Sequence, residues 1–246
     1  MTARILVIGE SCKDVFHYGT CHRLCPEAPV PIFNPVEKTE NGGMAMNVYN
    51  NIKAMSVPCD IITNTNWESI HKIRFIDKKR NQMFIRVDFE ADGISPIATE
   101  RIKNIKDYDA VVISDYNKGF LSEKVVAQIC NSHDSVFLDT KKMLGDWSDD
   151  ALFVKINIHE LSKTKHTIKD SIKDKLIITL GEDGCLYQGK TYPVKNVEMK
   201  DSSGAGDTFI SALAVKYLEN KNIIDAIKFA NECATTVVQK RGVGTI

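Results

Sequence analysis

The chain carries no net charge: 32 Lys plus Arg are matched by 32 Asp plus Glu over 246 residues. No global field therefore draws it to nucleic acid or to an anionic membrane. No apolar run approaches the roughly 20 residues that a membrane-crossing helix needs. The apolar start, ILVIG at 5–9, is too short for a signal peptide and has the length and branching of a buried strand. The seven cysteines (12, 21, 25, 59, 130, 185 and 233) are odd in number and scattered. Cys21 and Cys25 are the closest pair, and no second Cys or His pair completes a zinc site. Cys12, Cys59 and Cys130 lie in or beside apolar runs, as reduced core cysteines do. Internal repeats and low-complexity tracts are also missing. These absences lead to the expectation of a cytoplasmic globular protein with no nucleic-acid and no membrane partner.

What is present is a core. Hydrophobic residues make up 43% of the chain and charged residues 26%, in the range of an ordinary globular domain. The length fits one α/β domain, 1–246, with at most a small appendage. Short branched runs (DAVVIS, SVFLD, ALFVKI, KLIITL) alternate with stretches of helical spacing, including Gly43 to Met55, Ser122 to about Cys130, Ala205 to about Leu218 and Ile223 to about Gln239. That alternation predicts a parallel sheet covered by helices on both faces, with ligands beyond the carboxyl ends of its strands. Two segments break the alternation. About 15–40 is rich in proline and reads as extended edge strands. About 71–90, HKIRFIDKKRNQMFIRVDFE, reads as a hairpin around Asp77–Asn81. Together they form a small β lid, whose basic run from Lys72 to Arg86 reads as a solvated surface. Its apolar strand faces need cover, and a second copy of the chain would supply it.

Two stretches look like phosphate loops. GCLYQGKT, 184–191, satisfies the spelling GxxxxGK[ST], but a true loop of that kind opens a helix. Here TYPV follows the lysine and favours a strand, so the segment is expected to be a hairpin turning at Gly189-Lys190. KDSSGAGDTF, 200–209, has the right context, because ALAVKYL continues it at helical intervals. The first amides of a helix are unpaired and partly positive, so Gly204, Ala205 and Gly206 can approach an anion closely, with Asp207 in the same turn. A plain N-capping turn accounts for the same residues.

The rest of the chain carries the resemblance. DSSGAGD resembles the second signature of the PfkB/ribokinase family of carbohydrate kinases, and NGGMAMNVYNN (41–51) resembles the first. NIHE (157–160), TLGEDG (179–184), Ala230–Asn231 and the final GVGT follow in the family's order. CPEAPVPIF, RNQMFIRVD, SDYNKGFL and LDTKK are similar to the kinase domain of bacterial heptose-7-phosphate kinases, which act in ADP- or GDP-heptose synthesis. The resemblance implies a ribokinase-like fold and transfer of the ATP γ-phosphoryl group to a sugar-phosphate hydroxyl. Asp207 would accept the hydroxyl proton, worth roughly 10²–10⁴ in rate. The amides of Gly204, Ala205 and Gly206 would hold the transferring group. Asp14, Gly42, Gly43 and Asn47 would bind the sugar. Asn157 and Glu160, three apart at a helix start, would organise Mg2+ through water, though ordinary capping explains that spacing too. Thr179, Gly181, Gly184 and Asn231, with Asn157, would line the nucleotide pocket. Lys118, Lys141 and Arg86 are the candidate cations for the sugar's phosphate.

The chain departs from the family after CDIITNTN, where a helix and strand opened by a Gly-Asp pair are usual; it passes instead through WESI to the lid. One sheet edge is then expected to be shorter, with Trp67 over what is left. The HxGH motif of a fused nucleotidyltransferase is absent from these residues, which leads to the expectation of kinase activity alone. Three other readings compete: a kinase for another sugar or a nucleoside, a silent family member that only binds, and a Walker-type NTPase working through Lys190.

Overall fold

The computed structural model describes residues 3–89 and 93–246; the last residue of the expected hairpin, Glu90, lies outside them. Strand β1 (Ile5–Gly9) is buried along its whole length. Its alternation sends Ile5 and Val7 into one apolar cluster and Leu6 and Ile8 into another, on opposite faces of one sheet. Gly9 is required at its end, since a Cβ there would lie 1.9 Å from the Ser114 carbonyl oxygen.

The chain then leaves the core to build most of the lid. Strands β2 (Ser11–Leu24) and β3 (Pro31–Met44) form a long antiparallel pair. Helix α1 (Ala45–Ala54) and strand β4 (Cys59–Ile62) return to the main sheet. Strands β5 (His71–Asp77) and β6 (Met83–Phe89) complete the lid in the order β3-β2-β5-β6. The remaining elements are β7 (Ala110–Asp115), α2 (Glu123–Ser132), β8 (Val136–Thr140), β9 (Phe153–Asn157), α3 (Ile158–Thr164), the single turn α4 (Asp170–Lys173), β10 (Leu176–Thr179), β11 (Cys185–Tyr187), β12 (Lys190–Tyr192), α5 (Ala205–Asn220) and α6 (Ile223–Val237).

The main sheet has eight strands in the order β12-β11-β10-β9-β8-β7-β1-β4. From β10 to β4 all neighbours are parallel; β11 and β12 add an antiparallel hairpin. The protein is thus the expected α/β type, a ribokinase-like parallel sheet with helices on both faces and a β lid. Helix α5 buries nine consecutive residues, Asp207 to Val215, because it lies against the sheet with α1 and α6 packed on it. No helix among the described residues is long and apolar enough to cross a membrane.

Four local expectations are corrected. Gly42 and Gly43 close strand β3 and do not start the helix, which begins at Ala45 after Met44 turns the chain with φ 61°. The β11–β12 hairpin turns at Gln188-Gly189, both at positive φ, and not at Gly189-Lys190; the residue pairing Tyr187↔Lys190 leaves two residues for the turn. Strand β4 is the sheet's end, as expected, but Trp67 lines a hollow at the lid base with Lys13, Glu40 and Gly42. Lys72 and Arg74 are buried and not solvated, because strand alternation turns them inward with Phe16 and Asp14.

Candidate active site

Asp207 is 4% exposed, in the first turn of α5, and each of its carboxylate oxygens accepts one side-chain hydrogen bond. The Asn47 amide, from α1, donates to Oδ2 at 3.0 Å, and the Tyr116 hydroxyl, just past β7, donates to Oδ1 at 2.7 Å. Asn47 is held in turn by Asn51, whose Nδ2 donates to its carbonyl and side-chain oxygens. Burial pushes the Asp207 carboxyl up to about 6, against the two hydrogen bonds that favour its charge; the Asp139 carboxylate raises it further and Lys155 opposes.

The loop before α5 is folded by its own polar groups. The Asp201 carboxylate accepts from the Ser203 amide, and Gly204 takes a left-handed φ of 82° as the residue capping the helix. A Cβ at Gly204 would sit 2.6 Å from the Asn47 amide nitrogen. The Ala205 N–H is turned to the Ser202 carbonyl at 3.2 Å, which corrects its expected place among the anion-holding amides. The amides of Gly206 and Asp207, in the first helical turn, have no intrahelical acceptor.

A group that sequence reasoning missed completes this tip. Lys155, in the middle of β9, is 5% exposed, and its ammonium would lie 2.9 Å from a Cβ at Gly206. It pairs with Asp139, on β8, at 2.9 Å. Burial opposes its charge, but Asp139, Glu160 and Asp207 keep its pKa above the ordinary lysine value. The signal was a lysine inside the apolar run ALFVKI, which a parallel strand tolerates only where a partner waits. A helix tip backed by a buried ammonium is a strong anion site.

The lid supplies the opposite wall. Arg74 donates to Asp14 Oδ1 at 2.8 Å, and both side chains are over nine-tenths buried. A Cβ at Gly43 would lie 2.4 Å from Asp14 Oδ2, so the glycine makes room for the carboxylate; one at Gly42 would strike Met46. Arg86 pairs twice with Asp88 on its own strand (2.7 and 2.8 Å), which makes it a lid ion pair. Lys118 lies in an exposed loop whose backbone amide donates to Glu10. The Lys141 ammonium reaches Glu160 at 3.3 Å and sits 4.5 Å from the Tyr116 ring centroid, on the α3 side of the cleft.

Asn157 and Glu160 form a reciprocal cap on α3. The Asn157 side-chain oxygen accepts from the His159 and Glu160 amides, and Glu160 Oε2 accepts from the Asn157 amide. The two lone pairs of the Asn157 side-chain oxygen are taken. Among the described residues no group of three or more His, Cys, Asp or Glu is placed to hold a metal directly. The donor set fits Mg2+ only in its usual habit, retaining water and phosphate ligands with Glu160 in the outer shell. Thr179 stands beside Asn157 in the parallel pairing of β10 with β9. Gly181 and Gly184 shape the turn into β11, where a Cβ at Gly184 would lie 2.1 Å from the Tyr192 carbonyl. Asn231 donates to that same carbonyl at 2.8 Å, so its amide holds the end of β12 in place. Asp207, Asn47, Gly204 and Gly206 therefore meet at one point, Asn157, Glu160, Lys141 and Thr179 cluster beside it, and Gly184 and Asn231 converge at β12.

The chain belongs to the pfkB family of carbohydrate kinases, whose model matches residues 49–246. It is 31% identical to the bifunctional protein HldE of Helicobacter pylori strain J99, with 97% of this chain aligned. The chain spans 63% of that relative's length, and the alignment runs over 295 positions against 246 residues here, so the relative carries segments with no counterpart. In fold it is similar to a ribokinase from Thermotoga maritima (TM-score 0.73, 17% identity, 98% of this chain and 94% of that one). A ribokinase from Arabidopsis thaliana, solved with ribose and ATP, superimposes with a TM-score of 0.71 at 14% identity, over 98% of this chain and 94% of that one.

Proposed function

We propose that this pfkB-family chain works as one sugar-kinase domain that transfers the γ-phosphoryl group of ATP to the anomeric hydroxyl of D-glycero-D-manno-heptose 7-phosphate, giving the 1,7-bisphosphate. The observation that carries the reading is the buried Asp207 carboxylate, held on both oxygens beside a helix tip with an ammonium behind it. Similarity to HldE relatives supports the heptose assignment.

In this reading the acceptor hydroxyl gives its proton to Asp207 as its oxygen bonds to the γ-phosphorus and the bond to the β-phosphate bridging oxygen breaks. Phosphoryl transfer asks the protein for alignment and charge stabilisation. The Gly206 and Asp207 amides and the Lys155 ammonium hold the charge moving through the transferring group. Asp14, fixed by Arg74, receives sugar hydroxyls, and Asn47 both steadies the base and borders the sugar. Lys141 meets phosphate from the Glu160 side, while Lys118 and Arg86 remain candidates for the distal phosphate. Mg2+ would be organised through water by Glu160, with Asn157 fixing that side chain, and supplies charge neutralisation on the nucleotide phosphates. Thr179, Gly181, Gly184 and Asn231 border the nucleotide. Two copies pair through the lid, whose outer face leaves Ile85 and Phe89 more than half exposed.

The test is ADP release with a panel of heptose 7-phosphate, fructose 6-phosphate, ribose and adenosine. Turnover with the heptose phosphate at least tenfold above the others is expected, and a preference for ribose or adenosine reassigns the acceptor.

A further inference from the structure

The hydroxyl that lies against the base belongs to Tyr116, a residue of the SDYNKGFL stretch for which the sequence reading gave no role. We propose that Tyr116 is a positioning residue for the transfer: it clamps one oxygen of Asp207 while Asn47 clamps the other, so the carboxylate is turned to take the acceptor's proton. The proposal rests on the reading of Asp207 as the base.

A carboxylate offers about four lone-pair sites. Tyr116 and Asn47 take one on each oxygen, at 2.7 and 3.0 Å, which leaves one on each for an incoming hydroxyl. The clamp is rigid because its own main chain is locked. The Tyr116 amide donates to Glu10 Oε2 at 2.8 Å, and the Lys118 amide to the other oxygen of the same buried carboxylate at 3.0 Å. On the other side of Tyr116, Asp115 is gripped by Lys142 (2.7 Å to each oxygen) and by the Thr140 hydroxyl at 2.6 Å. Asn117, at φ 56°, donates its amide to Asp115 and turns the chain away. The aromatic ring lies under two ammonium groups, Lys141 at 4.5 Å and Lys72 at 5.2 Å from its centroid. Lys72 belongs to lid strand β5, so the residue that orients the base also touches the lid.

The phenol is a donor at every working pH, since burial and the Asp207 and Asp139 charges raise its pKa well above the ordinary tyrosine value. The groups facing Asp207 are Tyr116 after β7, Asp139 on β8, Lys155 on β9 and the neutral Asn47 on α1. Removing a hydrogen bond donated to the charged form favours the protonated form.

The experiment follows the Asp207 carboxyl by 13C NMR, assigned with Asp207→Asn, in Mg2+-free wild-type protein and in Tyr116→Phe. The titration midpoint of Tyr116→Phe is expected to rise by about half a pH unit or more. With ATP and heptose 7-phosphate, the acid limb of kcat shifts upward by the same amount while the sugar KM changes less than about twofold. Should Tyr116→Phe fold poorly, wild-type protein carrying 3-fluorotyrosine, a stronger donor, gives the opposite shift. An unmoved midpoint in the folded variant, or in the fluorinated protein where the variant does not fold, overturns the clamp. A midpoint that moves while Asp207→Asn retains full turnover upholds the clamp and removes the base assignment instead.

Discussion

Strand β1 of the main sheet buries five residues in a row without one charge among them, whereas lid strand β5 buries Lys72 and Arg74 and leaves Ile73 and Phe75 half-exposed. The main sheet keeps apolar side chains on both faces because helices cover both. The lid has one covered face, and that face carries Asp14, Arg74 and Lys72 beside only a small apolar cluster of Phe16, Tyr18 and Ile76. Its other face leaves Ile85 and Phe89 out in solvent. Stability resides in the first region, and the second gives up packing to aim charges at the cleft.

The sharpest way to break this contrast is at Asp207, the one carboxylate that α5 buries among apolar neighbours. Asp207→Asn is expected to lower turnover at least about 100-fold while ATP binding measured by calorimetry is unchanged. The same substitution should stabilise the fold at neutral pH. Because the folded carboxyl titrates near 6 and the unfolded one near 3.8, the folded state holds its proton more tightly. Stability therefore falls as pH rises from about 4 to about 6 and stays lowered above that, by up to about 3 kcal/mol. The Tm gain of Asp207→Asn should be present at pH 7.5 and shrink towards pH 4, and a Tm loss at pH 7.5 would contradict the assignment.

Phe137→Ala and Ile85→Ser compare the two regions directly. Phe137 is fully buried against Phe153 and Tyr217, with ring centroids 5.9 and 5.8 Å away, and its truncation should cost about 3–5 kcal/mol by urea titration. Ile85→Ser should change protomer stability by less than about 0.5 kcal/mol yet shift the light-scattering mass towards the monomer. An unchanged mass removes the lid from the proposed dimer.

Arg74 sharpens the difference at smaller scale. Arg74→Ala strands the buried Asp14 carboxylate and should cost about 2–4 kcal/mol. The pair Asp14→Leu with Arg74→Met should recover most of that loss and still bind no sugar. Recovery of sugar binding would mean that the ion pair serves the fold alone.

Where neighbours in sequence remain neighbours in space, the chain could be read directly. The Gly-Ala-Gly-Asp turn, the helix behind it, the lid hairpin and the β11–β12 decoy all depend on local spacing, and all lie within a few residues of their expected places. Lys155, Tyr116 and Lys72 were not legible as site residues. Lys155 sits in an apolar run on β9, Lys72 in a basic run on β5 and Tyr116 in the turn after β7. Only the tertiary structure brings Lys155 and Tyr116 to Asp207 and Lys72 to the Tyr116 ring. Gly43 misled for a related reason. It looks like the start of a helix, but the contact that demands a glycine there is with Asp14, across the lid pairing.

Local chemistry by itself determined the alternation of strands and helices, the bare amides at the start of α5 and the presence of a carboxylate beside them, because backbone geometry and hydrophobic period act over a few residues. Only the tertiary structure decided that this carboxylate is buried, which two donors grip it, that an ammonium lies under the helix tip, and that Ala205 turns its amide away. Those outcomes depend on burial and on charges that the sheet brings together from distant parts of the chain, where pairwise energies far exceed any local preference.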